Sequence, residues 1–418
     1  MAPRGFPDFL SFGGFADLTY QNEEEFVAAR VSSIFGYAGI DGAGDSTTFL
    51  VDDFKTRRVI SLAKSVQEGV GGGHTVLPVL VSYTCNLSLG DAQAGLQNAE
   101  GLGHGFANLI LSLRVAKEST SGESPVPAAF IINPDFLGEA QRNLSNEYQL
   151  PVREPLQSAL DHQAVDAEIP DTITDSLRGY VQAVNWLIRT VAPDMSFGWS
   201  ASIWGAGSSG WVYSSDQSPA EVAKVTADYI KFLGVYDAEY APDFLAVDRY
   251  EADDFTARAY MNGYCYGPTE WGRFFDFCKA LHENLSVPVL PWQIPASHIP
   301  TQADNVEDEF DAQHWGTGGS YVLGDTAVGS DVNNINQKVL SLGLNASLTW
   351  TNSIEELFQR AEPFDLSKPA YQDFPPGGIF AVLLGGGATT GVISTVGDGG
   401  SWAREKLAAY SKNPVPLE

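Results

Sequence analysis

Three stretches of this 418-residue chain run from an apolar segment straight into acidic side chains. "IINPD" delivers Asn133 and Asp135, "LAVDRYE" delivers Asp248, Arg249, Tyr250 and Glu251, and "YVLGD" delivers Asp325. Carboxyl groups gathered from separate strands can divide acid–base work: a protonated one donates to a leaving oxygen, while an ionised one attacks or activates water. A single aspartate after a strand is more simply a helix cap or a turn residue, so only the recurrence points to chemistry. Within "VDRYE", strand alternation puts Asp248 and Tyr250 on one side and Arg249 and Glu251 on the other. We expect Glu251 at a substrate and Asp248 behind it, with Arg249 holding a neighbouring acid ionised.

Aromatic residues form the second group. Trp199, Trp204, Trp211, Tyr213, Tyr250, Tyr264, Tyr266, Trp292 and Trp315 fall at or just beyond apolar runs. Core packing accounts for any one of them, since such rings bury large areas. In the Gly/Ser-rich stretch "SIWGAGSSGWVYSS", however, a core has little reason to collect two tryptophans and a tyrosine. Exposed flat rings suit the faces of pyranose sugars, and "PWQIPASH" adds Gln293 and His298 beside Trp292. Acids with aromatic platforms point to cleavage of glycosidic bonds in a neutral carbohydrate. The outcome turns on carboxyl separation, about 5–5.5 Å for retention and about 6.5–9.5 Å for inversion, a quantity no sequence holds.

These residues need a scaffold that brings distant strand ends together. Strand-like runs occur at 9–15, 75–83, 128–136, 196–204, 244–251, 287–296, 320–325 and 378–387, which makes the stretch at Asp248 the fifth. Helical periodicity covers 52–68, 91–117, 172–191, 218–234, 268–285, 333–343 and 353–362, with caps at Asp91 and at Ser218, which is followed by Pro219. Eight strands alternating with helices predict a (β/α)8 TIM-type barrel with long βα-loop insertions, in preference to a doubly wound open sheet. The surplus length sits at 16–51, 137–170, 205–217, 252–267 and 296–319, in loops that a barrel gathers on the C-terminal face of its strands. No linker or repeat divides the chain, so residues 1–416 are expected to form one domain, with 417–418 an expression scar.

A net charge of -28 repels phosphate backbones and anionic surfaces, so neither nucleic acid nor membrane is an expected partner. No apolar run is long enough to span a bilayer. The acidic, lysine-poor and aromatic-rich composition suggests a secreted protein whose leader has been removed, with sequons at Asn86, Asn143, Asn284 and Asn345. Cys85, Cys265 and Cys278 allow one disulfide at most, and no spacing suggests zinc. No cofactor or metal is expected, and the oligomeric state is left open. The rival enzyme readings are a metal site using His74, His298 and His314, and a phosphate site at "LLGGGATTG". A further alternative is a non-catalytic carbohydrate-binding barrel; a uronic-acid lyase would need a cationic cleft.

In "FIINPDFLG", "FLAVDRYE", "LPWQIPASH" and "YVLGD" the chain resembles secreted barrel glycoside hydrolases that attack plant or microbial polysaccharides, and in layout the likeness covers most of its length. The resemblance implies hydrolysis of a neutral, β-glucan-like polysaccharide by a carboxylate pair. Candidate catalytic residues are Asp135, Asp248, Glu251 and Asp325. Candidate substrate contacts are Asn133, Trp199, Trp204, Trp211, Arg249, Tyr250, Trp292, Gln293, His298 and Trp315. "NPDFL" is similar to the "EPDSL" of family 6 cellulases, whose other aspartate motifs are not evident here. The Asn-Glu pair that many retaining barrel glycosidases carry after strand 4 is replaced by "SASIW", and Asp325 stands where they have a glutamate.

Overall fold

Apolar runs of four to seven residues, too short to make helices, lie buried side by side as parallel strands. They are β1 Ser11–Phe15, β2 Ser33–Tyr37, β3 Leu77–Ser82, β4 Ala129–Ile132, β5 Ser196–Ser202, β6 Phe244–Asp248, β7 Val289–Trp292 and β8 Ala381–Leu384. The computed structural model describes the chain except residues 1, 17–22, 40–45, 86, 88–90, 120–126, 238, 250–254, 256, 308–314, 362, 387–398 and 418, and the side chains of 257–259 and 399–400. Spatial order follows β7-β6-β5-β4-β3-β2-β1-β8. The seam between β7 and β8 is joined at both ends: Phe380 N–H donates to Val289 O at 3.2 Å and Gly385 N–H to Ile294 O at 2.7 Å. Eight parallel strands joined in this order form a TIM-type barrel.

Parallel neighbours require crossovers, and helices supply most of them. α1 Glu23–Ala29, α2 Phe54–Val70, α3 Ala92–Gln97 and α4 Ala99–Ser119 lie between β1 and β4. α5 Phe136–Asn143, α6 Arg153–His162 and α7 Leu177–Val191 lead to β5, and α8 Pro219–Phe232 leads to β6. α9 Ala257–Asn262 and α10 Pro268–Leu285 precede β7. Among the described residues the long β7–β8 connection carries the short α-helices α11 Gly318–Leu323, α12 Gln337–Leu340, α13 Ala346–Thr349 and α14 Ile354–Gln359. α15 Gly399–Tyr410 follows β8. Polar caps fix where helices begin: Asp53 accepts from Thr56 N at 2.9 Å, Asp91 accepts from Ala94 N at 3.1 Å, and Ser218 and Glu221 form a capping box.

Alternation divides the strands between two apolar layers. Phe35, Val79, Val81, Ile131, Ala246, Leu290, Trp292 and Leu383 fill the barrel, and Phe6 closes its N-terminal end against Phe380 at 4.9 Å between ring centroids. Phe12, Leu80, Phe130, Phe197, Trp199 and Val247 point outward to the helices.

Two strand assignments change, and the helices expected at 91–117 and 333–343 each divide in two. The strand expected at 320–325 is not one, because residues 318–323 wind into α11. Gly318 and Gly319 seat this helix on the backbone of 295–297, where a Cβ on Gly319 would lie 2.3 Å from Ser297 O. The true second strand, Ser33–Tyr37, lies inside the segment read as an insertion over 16–51. The strand ending at Asp248 is therefore the sixth. Cys85, Cys265 and Cys278 are buried and unbridged.

Candidate active site

Asp248 is the last residue of β6, on the inward side with Phe244 and Ala246. Its register partners are Ser202 on β5 and Trp292 on β7. Trp292 lies inside the barrel, where its indole N–H donates to Ser200 Oγ at 3.2 Å and its ring packs edge-on against Phe35 at 6.1 Å. The last residue of β6 thus stands beside Trp292, at the edge of the inner aromatic cluster.

Asp135 reaches the same mouth from β4 by an unusual turn. Asn133 and Asp135, on either side of Pro134, have φ of 48° and 72°, the left-handed region that non-glycine residues seldom occupy. Asn133 is wholly buried and holds this turn: its Oδ1 accepts from Thr84 N at 2.7 Å and its Nδ2 donates to Thr84 Oγ1 at 2.9 Å. Asp135 occupies the N-cap position of α5 but makes no capping hydrogen bond, so its carboxyl group is not spent on the helix. Burial, and after it the charge of Glu139, push this carboxyl up to about 6.

Tyr37, at the C-terminal end of β2, lies where the charges of both acids reach it. Gln293, just past β7 with φ 56°, donates from Nε2 to its hydroxyl at 3.2 Å. The phenol is held well above its ordinary range, first by burial and then by the negative charges of Asp248 and Asp135. Both carboxyl groups therefore lie in the electrostatic neighbourhood of one hydroxyl. Phe15 packs 6.0 Å from Tyr37 and 5.3 Å from Phe35, and Tyr83 joins the same inner cluster, giving the mouth an aromatic wall. Sequence reasoning missed Tyr37, Phe15 and Tyr83. The strand-end rule that selected the acids would have found Tyr37 had β2 been recognised.

The other candidates make contacts of their own. Asp325 follows α11 and is 1% exposed, accepting from Ser320 Oγ at 2.7 Å and from the N–H groups of Ala327 and Val328. Arg249 points to the helix layer, with its guanidinium 4.2 Å above the Tyr266 ring and 5.3 Å from that of Trp271, and it donates to Tyr264 O. Trp199 points outward, donating to Asn185 Oδ1 at 2.8 Å. Trp211 packs 5.2 Å from Phe277 of α10 and donates to Ile203 O, while Tyr213 and Tyr266 are also buried. Trp315 is buried edge-on against His298, whose Nδ1 lies 2.9 Å from Ile299 O. Trp204 remains half-exposed beside Gly138 of α5. His74 precedes β3, on the opposite face of the barrel, with Nε2 2.8 Å from Val31 O. Glu251, Tyr250, His314 and most of the glycine-rich stretch after β8 lie outside the described residues. Among the described residues no three His, Cys, Asp or Glu are grouped so as to hold a metal ion.

No family model matches the chain, and no curated protein matches it. Solved structures with a related layout include a glycoside hydrolase family 6 enzyme of Coprinopsis cinerea, 13% identical over 71% of this chain and 74% of that one, with a TM-score of 0.36. Another is a Bacteroidetes-affiliated family 5 cellulase, 9% identical over 97% and 92% of the two chains, with a TM-score of 0.43. An O-GlcNAc hydrolase of Thermobaculum terrenum matches at 8% identity over 99% of this chain and 61% of that one, with a TM-score of 0.37. At scores this low, the barrel assignment rests on the strand order itself.

Proposed function

We propose that the chain is a glycoside hydrolase that cleaves a neutral, β-glucan-like polysaccharide at the barrel mouth, with Asp135 as general acid and Asp248 as the second carboxyl group. The observation that carries this is the placement of two carboxyl groups, Asp135 after β4 and Asp248 at the end of β6, at the C-terminal ends of the strands beside Tyr37 and the inner aromatic cluster. Glycosidic cleavage needs one carboxyl group that still holds its proton when the other is ionised. Burial favours the protonated form of Asp135, which suits donation to the leaving glycosidic oxygen. Asp248 would then attack the anomeric carbon or take a proton from the attacking water. The acidic surface disfavours anionic glycans.

The test is turnover of cellulose, mixed-linkage β-glucan, laminarin and mannan by the parent, D135N and D248N, followed by release of reducing ends. We expect the parent to cut at least one polymer and each variant to lose about 100-fold or more, with D135N partly rescued on aryl glycosides whose leaving group needs no proton. Full turnover in both variants would sink the assignment. A parent that binds a polymer without cutting it would instead be a carbohydrate-binding barrel.

A further inference from the structure

Trp350 is the one exposed tryptophan among the described residues, 54% exposed, and it has φ 55°. A bulky residue in the left-handed region is strained and persists only where its surroundings fix it. Here they do. Residues 343–353 form a closed loop whose base is the antiparallel pairing of Gly343 with Ser353. Inside it, buried Thr349 donates its hydroxyl towards Asn345 O at 3.2 Å and Thr351 O at 3.1 Å. Arg360 donates to Thr349 O at 3.3 Å and to Tyr213 O at 2.5 Å, fastening the loop to the segment that follows β5. Leu348, also exposed, lies against Gly263 at the end of α9, where a Cβ would come within 3.3 Å of its own. Exposed Met261 stands two residues before that glycine. The loop therefore sits outside β5 and β6 on the face that carries Asp135 and Asp248. The Trp350 indole N–H makes no hydrogen bond among the described residues.

We propose that Trp350, with Leu348 beside it, is an accessory binding platform for a strand of the neutral polysaccharide, outside the catalytic mouth. The identity of the occupant rests on the hydrolase reading. A pyranose face would cover the indole, and Ser347 Oγ and Asn352 Oδ1 would accept from its hydroxyls, their donor groups already turned to Asn345 and Glu356. Glu355 and Glu356 at the start of α14 disfavour an anionic chain. A second copy of the protein is a poor occupant, because three apolar side chains fall far short of the roughly 800 Å² per partner of a stable interface.

The experiment is electrophoresis of the parent, W350A, W350F, W350G and D135N through gels containing mixed-linkage β-glucan, laminarin or glucomannan, with kinetics on the cleaved polymer and on an aryl trisaccharide. We expect a polymer to retard the parent, W350F and D135N. W350A and W350G should bind about tenfold more weakly and show a higher KM on polymer, with turnover of the aryl trisaccharide unchanged. W350G relieves the left-handed strain, so its weaker binding would not arise from a distorted loop. If no glycan is cut but Trp350-dependent retardation persists, the hydrolase reading fails and the platform stands. The platform is overturned if no polymer retards the parent, if W350A is retarded like the parent, or if light scattering shows that Trp350 instead drives self-association.

Discussion

The side-chain amide of Gln293 donates to the hydroxyl of Tyr37 at 3.2 Å, joining the end of β7 to the end of β2 across the mouth of the barrel. Between β7 and β2 in the barrel stand only β8 and β1, whose Phe15 packs on Tyr37. Removing the hydroxyl in Y37F leaves the ring and its packing in place. We expect kcat/KM to fall about tenfold, while the thermal midpoint moves by only a few degrees, as for loss of one hydrogen bond worth about 1 kcal/mol. Unchanged turnover in Y37F would remove the phenol from the site.

The pH dependence follows from Asp135. Its carboxyl is raised from 3.8 to about 6, so the folded chain binds this proton more tightly than the unfolded chain. Its contribution to stability is therefore full below about 4 and is lost as pH rises towards about 6. As a general acid it must be protonated, so kcat/KM should fall as pH rises through about 6. E139Q removes the like charge and lowers this pKa, moving the alkaline limb to lower pH. A pH–rate profile in which E139Q leaves that limb in place contradicts the assignment.

Asp325 gives the contrasting case. Its three acceptor contacts hold the chain after α11, so D325A should cost about 3 kcal/mol of stability without changing the chemistry. Chemical denaturation measures the first, and initial rates at a temperature where the variant is folded measure the second. A loss of turnover comparable to that of D135N would return Asp325 to the site.

Glu270 is fully buried in α10, and its Oε1 lies 3.1 Å from Arg360 Nη1, close enough for an ion pair although not aligned as a hydrogen bond. Burial raises its carboxyl to about 7, against the attraction of Arg360. R360A removes that attraction and pushes the pKa further up, so the variant should be destabilised by about 3 kcal/mol, more at pH 8 than at pH 5. E270Q should flatten the loss of stability that Glu270 causes as pH rises from about 4.5 to about 7. Urea midpoints across this range give the answer; equal destabilisation by R360A at both pH values would mean that Glu270 does not titrate there.

Much of the scaffold was determined by the sequence alone. Short apolar runs separated by capped helices dictate parallel strands with crossovers, and polar residues at the ends of those runs mark the mouth. The strand-end positions of Asp135, Asp248 and Gln293 are legible by that rule. Tertiary structure decided what periodicity cannot. In a barrel both faces of each strand are buried, so alternation in "SFGWSAS" separates Trp199 from Ser200 without saying which enters the barrel. β2 escaped notice because Gly36 leaves a gap in its pattern, a gap that Val59 of α2 fills so closely that a Cβ would lie 2.7 Å away. The strand-like residues of "SYVL" became helix because two glycines let that segment settle on a neighbouring backbone. The freedom of Asp135 from its capping role was settled by a left-handed turn that Asn133 holds from behind, a contact between β3 and β4 that local spacing does not encode.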